Sequence, residues 1–399
     1  MYAKNDKITC MNWTLHPVHT KTNACSGLKF TSVSQTTPQQ DFDASPGRWH
    51  SGHTMLYPLL RPFLFRLDPE TAHFIALFAL KAFVSGRPQP ADPMLSVSLA
   101  GIDFPNPVGL AAGFDKDGEV AHLMNHFGCG FAELGTLTPL PQSGNPKPRL
   151  FRLAEDHAVI NRMGFNNGGQ ADAIERLRHM PRAGRVIGVN IGANKDATDR
   201  IADYVTGVRQ MAPFADYLTV NISSPNTPGL RALQGRGPLD ELLGAVMAER
   251  GAHGPPVFLK VAPDLEPADI DDIAASVVDH KVDALIVSNT TISRPPLRSA
   301  HAEETGGLSG APLHDLALQR LRDFRAALGA SVPLIGVGGI ASAEQAYARI
   351  RAGASLVQIY SAMIYEGPYL AARINTGLKA LLQRDGFTNI TQAIGIDAR

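Results

Sequence analysis

Cysteine is scarce in this 399-residue chain. Cys10, Cys25 and Cys129 form no CxxC pair and no metal-ligand spacing. Their scarcity argues against a disulfide framework, a metal site or a protein-borne iron–sulfur cluster, and it favours a reducing compartment. A basic excess is lacking too, because 37 Lys and Arg balance 37 Asp and Glu. We therefore expect no nucleic-acid partner.

Residues 1–54 lack the apolar core of a signal peptide. Their acidic residues Asp6, Asp41 and Asp43 also fit an organellar transit peptide poorly. The polar composition predicts a disordered tail. An alternative is that translation starts at Met55, where the organised sequence begins.

Long hydrophobic runs are missing, yet residues 55–92 are unusually apolar. Their longest uncharged run, "TAHFIALFAL", is too short for a transmembrane helix. The spacing of apolar residues predicts two helices, the second capped by Asp68. Two interpretations stay open: the helices pack on the main domain, or they form a hairpin lying in the bilayer surface, with Arg61, Arg66 and Lys81 at the headgroups.

Eight short apolar runs alternate with helix-length segments between residues 93 and 385. They lie at 108–112, 131–138, 186–192, 217–223, 257–263, 284–291, 333–340 and 355–363. Eight alternating β and α elements predict an α/β fold, a (β/α)₈ TIM barrel with a parallel sheet. The segment "MLSVSLAGIDFPNPV" predicts an antiparallel hairpin that plugs the other end of the barrel, and residues 386–399 are expected to form a C-terminal tail.

Nearly every run ends in polar or glycine residues, and barrel enzymes build their sites at those strand ends. The ends of the seventh and eighth strands, "GVGGI" and "QIYSAM", are typical of a phosphate site. No GxGxxG follows a strand, so a Rossmann nicotinamide site has no support. Lys116 and Lys260 fit either a Schiff-base lysine or a fixed positive charge beside an anion or an electron-rich cofactor.

Five asparagines follow strands or lie within their last residues. They are Asn161, Asn190, Asn221, Asn226 and Asn289. Each amide offers donors and an acceptor, which match the N–H and C=O edge of a cyclic imide such as a pyrimidine. Asparagine also favours turns, which accounts for Asn226 but poorly for Asn190 and Asn221.

Seven motifs in order resemble the dihydroorotate dehydrogenase family, flavin enzymes of pyrimidine synthesis. They are "AAGFDKDGE", "GTLTPLPQSGNPKPRLFRL", "NRMGFNN", "NISSPNTPGLR", "TGGLSGAPL", "IGVGGI" and "GASLVQIYSA". The resemblance covers residues 55–385, includes "LFRLDPETAH" in the helical pair, and is greatest to the membrane-associated, quinone-reducing class (class 2).

The resemblance implies a role for each matching residue. FMN contacts would come from Ala112, Gly113, Lys116, Thr136, Asn190, Asn221, Lys260, Ser288, Gly310, Gly339, Tyr360 and Ser361. Dihydroorotate contacts would come from Lys116, Asn161, Arg162, Met163, Gly164, Phe165, Asn221, Asn226, Asn289 and Thr290. His73, Arg152 and Tyr360 match the quinone side, and Ser224 takes the position of the catalytic base, where the soluble classes carry cysteine.

The implied reaction oxidises (S)-dihydroorotate to orotate, a CH–CH oxidation in de novo pyrimidine biosynthesis, with FMN accepting hydride and a membrane quinone accepting the electrons. The expected protein is a monomer without an iron–sulfur partner subunit, bound peripherally to the cytoplasmic face of a bacterial cell membrane through residues 55–92. Residues 93–385 would be the FMN-binding barrel. Two alternatives are a lysine Schiff-base aldolase barrel and a non-catalytic flavin- or phosphate-binding protein of the membrane surface.

Overall fold

A closed eight-stranded parallel barrel forms the centre of the computed structural model, which describes residues 56–85 and 90–398. The strands are β1 (Val97–Leu99), β2 (Ile102–Phe104), β3 (Val108–Leu110), β4 (Phe131–Leu137), β5 (Leu150–Leu153), β6 (Ala158–Asn161), β7 (Val186–Ile191), β8 (Tyr217–Asn221), β9 (Val257–Val261), β10 (Ala284–Val287), β11 (Gly307–Gly310), β12 (Leu334–Val337) and β13 (Ala354–Ile359). The barrel closes in the order β3-β4-β7-β8-β9-β10-β12-β13. The predicted fold class is confirmed, and each of the eight predicted runs overlaps one barrel strand.

Helices surround the barrel and account for the continuous burial of its strands. They are α1 (Leu56–Leu64), α2 (Pro69–Phe83), α3 (Gly169–His179), α4 (Arg200–Met211), α5 (Arg236–Arg250), α6 (Pro267–Asp279), α7 (His314–Leu328), α8 (Ala343–Arg351), α9 (Ser361–Glu366) and α10 (Leu370–Arg384). Every residue of β4, β7, β8 and β9 is buried. Covered on both faces, a parallel strand is apolar along its length instead of alternating.

The β1–β2 hairpin closes the N-terminal end of the barrel, as predicted. Phe104 at the end of β2 is fully buried, and its ring centroid lies 5.1 Å from that of Phe131 and 6.5 Å from that of Tyr217. Both partners are the first residues of barrel strands. The hairpin thus leaves the opposite end of the barrel for the polar strand ends.

A second, antiparallel sheet in the order β11-β6-β5 was not predicted from the sequence. In it Asn161 pairs with both Leu150 and Gly307. The strands are four residues each, and β11 lies far along the chain from β6. No local pattern in the sequence showed this sheet, because "LFRL" of β5 does not alternate between apolar and polar residues and the pairing of β6 with β11 is a tertiary contact.

The helical pair α1–α2 is attached to the barrel by a buried ion pair. Glu70 in α2 accepts a hydrogen bond of 2.9 Å from Arg149 Nη2, and Lys147 Nζ lies 3.5 Å away. Arg149 Nη1 also donates to the carbonyl oxygens of Ser143 and Asn145. At the start of α2, Asp68 accepts from the Thr71 N–H, as the capping prediction requires.

The C-terminal residues pack against the barrel. Ile390 and Ala393 are fully buried, the Ile390 N–H donates to the Met94 carbonyl, and the Gly395 N–H donates to that of Ile350. Residues 386–398 therefore belong to the folded body. The predicted tail of residues 1–54, the alternative start at Met55 and residues 86–89 of the 55–92 segment lie outside the described residues.

Candidate functional site

A single cavity of about 770 Å³ lies over the carboxyl ends of the barrel strands and continues between them and the helical pair. Its size is typical of a small-molecule or cofactor site. Most of the residues singled out from the sequence line it: His73, Ala112, Gly113, Lys116, Thr136, Arg152, Asn161, Met163, Gly164, Phe165, Asn221, Ser224, Asn226, Lys260, Ser288, Asn289, Thr290, Gly310, Gly339, Tyr360 and Ser361. Asn190 and Arg162 do not.

The amides on the cavity floor form one hydrogen-bonded chain. Thr136 Oγ1 donates to Asn190 Oδ1 at 2.6 Å and accepts from Asn221 Nδ2 at 2.9 Å. Ser223 Oγ donates to Asn221 Oδ1 at 2.6 Å and accepts from Asn289 Nδ2 at 2.8 Å. This chain fixes which end of each amide faces the cavity, and Asn190, fully buried beneath it, acts through Thr136.

Ser224 lies just beyond β8, in the loop over the cavity. It is 5% exposed, and its one hydrogen bond to a described residue is accepted from the Asn226 N–H at 3.2 Å. Its hydroxyl proton is therefore free to donate to a bound molecule. Asn226 is held in turn, because its Nδ2 donates to Asn161 Oδ1 and its carbonyl accepts from Asn145 Nδ2.

Arg231 fixes the loop that carries Ser224. Its Nε donates to the Ser223 carbonyl at 3.0 Å, its Nη2 to the Thr290 carbonyl at 3.1 Å, and its Nη1 to Asp264 at 2.9 Å. One guanidinium thus ties together the loops after β8, β9 and β10. The sequence analysis missed Arg231, although its charge stands alone at the end of "NISSPNTPGLR".

Two lysines bring positive charge into the cavity. Lys260 is 4% exposed, and burial lowers its pKa while Glu133, with Oε1 3.9 Å from Nζ, opposes that shift. Burial also lowers the pKa of Lys116, against the attraction of Asp117 and Glu70. Lys116 forms no hydrogen bond or ion pair within the described part of the chain, so its ammonium is available to an anionic ligand.

Glycines bring bare backbone to the cavity near β11 and β12. Gly310 and Gly339 have φ of 97° and 67°, and a Cβ at Gly339 would lie 2.6 Å from the His314 backbone. Nearby, Ser361 Oγ donates to Ser309 Oγ at 2.8 Å. Backbone without side chains beside hydroxyl groups suits a phosphate group.

An aromatic row joins the helical pair to the barrel. The ring centroids of His73 and Phe114 are 5.3 Å apart, and those of Phe114 and Tyr360 are 5.9 Å apart. Burial lowers the pKa of His73 to about 3, so its imidazole is neutral at physiological pH. Burial likewise raises the pKa of Tyr360 to about 12 and keeps its phenol protonated. The helical half of the cavity is therefore apolar and carries no charge in this row.

Arg152 lines the cavity but already has partners. Its Nη1 donates to the Leu64 carbonyl at 3.0 Å, and its Nη2 donates to the carbonyls of Phe65 and Leu67. Its guanidinium also lies 4.8 Å from the centroid of the Phe65 ring. Arg152 thus caps the C-terminal end of α1, and its Nε–H and one Nη1 hydrogen are left without a described partner.

Arg162 points away from the cavity. Its Nη1 donates to Glu304 at 2.7 Å, and its guanidinium lies 4.5 Å from the Phe151 ring. Its neighbours Met163, Gly164 and Phe165 remain in the cavity wall. The sequence motif placed all four together, whereas the backbone directs the arginine to the outer face of the small sheet.

A buried polar cluster beneath the floor was also missed. Glu133 is fully buried and accepts from Asn190 Nδ2 at 2.7 Å, Gln358 Nε2 at 2.8 Å and the Tyr217 hydroxyl at 3.3 Å. Its signal was a single acidic residue in the apolar strand "FAELGTL".

Among the described residues, no helix is both long and apolar enough to cross a membrane.

Comparison with known proteins agrees with this geometry. The family model for dihydroorotate dehydrogenase matches residues 94–382. The chain is 63% identical over 345 residues to a "Dihydroorotate dehydrogenase (quinone)" of Sphingopyxis alaskensis, covering 86% of this chain and 97% of that protein. It is 62% identical to the protein of the same name from Erythrobacter litoralis, covering 86% and 99%.

Solved structures show the same fold at lower identity. The DHODH of Eimeria tenella, crystallised in complex with ferulenol, superimposes with a TM-score of 0.79 at 42% identity, covering 83% of this chain and 96% of that chain. Its ligand-free form gives the same TM-score at 43% identity, covering 83% and 100%. On the family model and these identities together, the chain belongs to the dihydroorotate dehydrogenase family and, within it, to the quinone-dependent class 2.

Proposed function

We propose that this protein oxidises (S)-dihydroorotate to orotate in de novo pyrimidine biosynthesis, with FMN as the hydride acceptor and a membrane quinone as the final electron acceptor. The observation that carries the proposal is the two-sided cavity. One half is lined by lysines and oriented amides beneath Ser224, and the other by the apolar faces of α1 and α2. Such a cavity admits a polar substrate and an apolar acceptor from different sides.

The polar half has the groups that dihydroorotate requires. The free ammonium of Lys116 suits its carboxylate, and Asn161, Asn221, Asn226 and Asn289 offer N–H and C=O groups for the cyclic imide edge. Because the floor chain fixes the orientation of Asn221 and Asn289, their donors and acceptors are preorganised for one ring geometry.

Ser224 is the proposed base that takes the proton from the substrate carbon. A serine hydroxyl is a weak base, so its efficiency depends on position and on passing the proton onward. The Arg231 contact with the Ser223 carbonyl and the Asn226 hydrogen bond hold the hydroxyl over the amides. This serine is the feature of the quinone-dependent class that the motif comparison implied.

FMN fits the rest of the polar half. The backbone at Gly310 and Gly339 and the hydroxyl of Ser361 would hold its phosphate, while Thr136 and Lys260 would face its ring. Lys260 would supply positive charge where the flavin gains negative charge. Bound there, FMN would supply hydride acceptance and electron transfer to the quinone.

The helical pair is the proposed route for the quinone and the membrane anchor. Several of its large apolar side chains are exposed without lining the cavity: Leu59, Leu60, Phe63, Leu67, Ile75 and Phe78. Phe74 and Phe83 are exposed and also line the cavity, which supports an entrance for the quinone among the exposed apolar side chains. We propose peripheral binding at the cytoplasmic face through residues 55–92, with His73, Arg152 and Tyr360 along the quinone path and a monomeric protein.

The experiment is anaerobic mixing of the purified yellow protein with dihydroorotate, followed by flavin absorbance. Wild-type protein should bleach, and Ser224→Ala should keep FMN and bind dihydroorotate but bleach about 10²–10⁴-fold more slowly. Ser98→Ala, at the other end of the barrel, is the matched serine control and should bleach at the wild-type rate. Near-normal reduction in Ser224→Ala would contradict its role as base.

Two further outcomes would favour the rival functions. A colourless protein that stays inactive after FMN is added would contradict the proposed dehydrogenase activity. Borohydride trapping of a substrate adduct on Lys116 or Lys260 would instead select a Schiff-base mechanism.

A further inference from the structure

The side chain of Glu133 lies inside the barrel and accepts three hydrogen bonds from neighbouring strands. Its Oε1 accepts from Asn190 of β7, and its Oε2 accepts from Gln358 of β13 and Tyr217 of β8. Donors thus face both oxygens, which is the surrounding that a carboxylate, an acceptor only, requires. No solvent reaches it, since its exposure is 0%.

A buried anion of this kind needs a cation. Lys260 of β9 has its Nζ 3.9 Å from Glu133 Oε1, and within the described ranges it is the one cationic group in ion-pair distance of that carboxylate. The other titratable neighbour is the Tyr217 phenol, whose pKa burial and Glu133 raise well above its ordinary value, so it stays neutral. The charges inside the barrel are therefore one carboxylate and one ammonium.

The protonated form of Lys260 depends in turn on Glu133. Lys260 is 4% exposed, and an ammonium moved out of water loses its proton unless an anion compensates the lost hydration. Within 4 Å, Glu133 is the one carboxylate that the described part of the chain offers it. The Lys260 side chain lines the cavity, whereas Glu133 does not, so the carboxylate acts on any ligand through the lysine.

We propose that Glu133 is a positioning residue that keeps Lys260 protonated and aimed into the cavity, so that a positive charge faces the flavin at every physiological pH. This role rests on the proposed function, because Lys260 would contact FMN. Asn190 contributes at both ends, since it donates to Glu133 and accepts from the Thr136 hydroxyl at the cavity floor.

The test is a pH titration of oxidised FMN bound to the holoprotein, read by flavin absorbance and by the FMN dissociation constant. Between pH 5 and 9 wild-type protein should show no spectral step from Lys260. In Glu133→Gln the step should appear within this range, because uncompensated buried lysines titrate as low as about pH 5–6. FMN should bind more weakly above the step than below it.

Two variants separate charge from packing. Tyr217→Phe removes one hydrogen bond to Glu133 and keeps both charges, so it should show no step. Glu133→Gln with Lys260→Arg should lose the step, because a guanidinium does not titrate in this range. Gln358 Oε1 has no partner among the described residues, so a flipped Gln358 amide can accept from the amide that Glu133→Gln introduces.

The outcomes decide between this inference and the proposed function. A folded Glu133→Gln holoprotein without a step, or a Lys260-dependent step in wild-type protein, would overturn the role of Glu133 and leave the dehydrogenase intact. The wild-type titration keeps the test decisive even if Glu133→Gln does not fold. Wild-type protein that takes up no FMN would overturn both.

Discussion

The helical pair and the barrel mouth invert the usual distribution of side chains in opposite ways. In the pair, Phe63 and Phe78 are 66% and 67% exposed, while Glu70 is buried. In the mouth, Asn221, Ser224 and Lys260 are buried among apolar strands. Exposed large apolar groups and buried polar groups are the informative exceptions in a globular protein. Each inversion therefore marks a surface that serves something other than stability, in agreement with the roles proposed above: lipid contact for the helical pair and a polar ligand for the barrel mouth.

Breaking the buried ion pair between the two regions should have the largest effect. Glu70→Gln leaves Arg149 buried without its counter-charge and should lower the free energy of unfolding by about 3–5 kcal/mol, measured by denaturant titration. The solvent-exposed pair Arg209–Glu249 supplies the control, since Glu249→Gln should cost far less. Equal losses of unfolding free energy in the two variants would show that the buried pair Glu70–Arg149 stabilises the fold no more than the pair Arg209–Glu249 does.

The exposed apolar side chains of α1 and α2, which we propose to face lipid, can be replaced without touching the cavity. Phe63→Ser combined with Phe78→Ser should weaken binding to phospholipid vesicles roughly 30- to 1000-fold, because each ring withdrawn from lipid loses about 1–2 kcal/mol. Vesicle co-sedimentation measures the change. Val278→Ser, an exposed apolar residue on the barrel wall, is the matched control and should bind as wild type. Unchanged binding in the double variant would place the membrane contact elsewhere.

His73 gives the smallest effect and sharpens the electrostatic side of the comparison. Its pKa of about 3 in the folded protein lies below its ordinary value of 6.5, so on acidification the unfolded chain gains a proton first. This histidine should therefore remove at most about 2 kcal/mol of stability between pH 7 and 5. His73→Phe and His73→Gln should both flatten that pH dependence in denaturant titrations. A steeper or unchanged slope in both would mean that His73 is charged in the fold.

The barrel was predictable because its strands lie in short apolar runs with polar ends, a local pattern that the topology converts into a ring of polar groups. The same pattern singled out Lys116, Lys260 and the asparagines, whereas the role of Ser224 was implied by the family resemblance. Three features were not predicted because each depends on partners far along the chain. They are the β11-β6-β5 sheet, the hydrogen bonds by which Arg231 joins three loops, and the cap that Arg152 forms on α1. Glu133 shows the limit most clearly: its position in the strand was visible, but its partners on three other strands were not.

The contact between Glu70 and Arg149 has an evolutionary consequence. Arg149 also donates to the carbonyl of Asn145, whose side chain donates to the Asn226 carbonyl in the loop after β8. A lineage that lost the two helices would leave the Arg149 guanidinium without the carboxylate of Glu70 beside that loop. A lineage that gained the helices would bury Glu70 and would need Arg149 to neutralise it. We expect the two residues to be inherited together, so that a change of electron acceptor in this family involves the barrel loop as well as the appended helices.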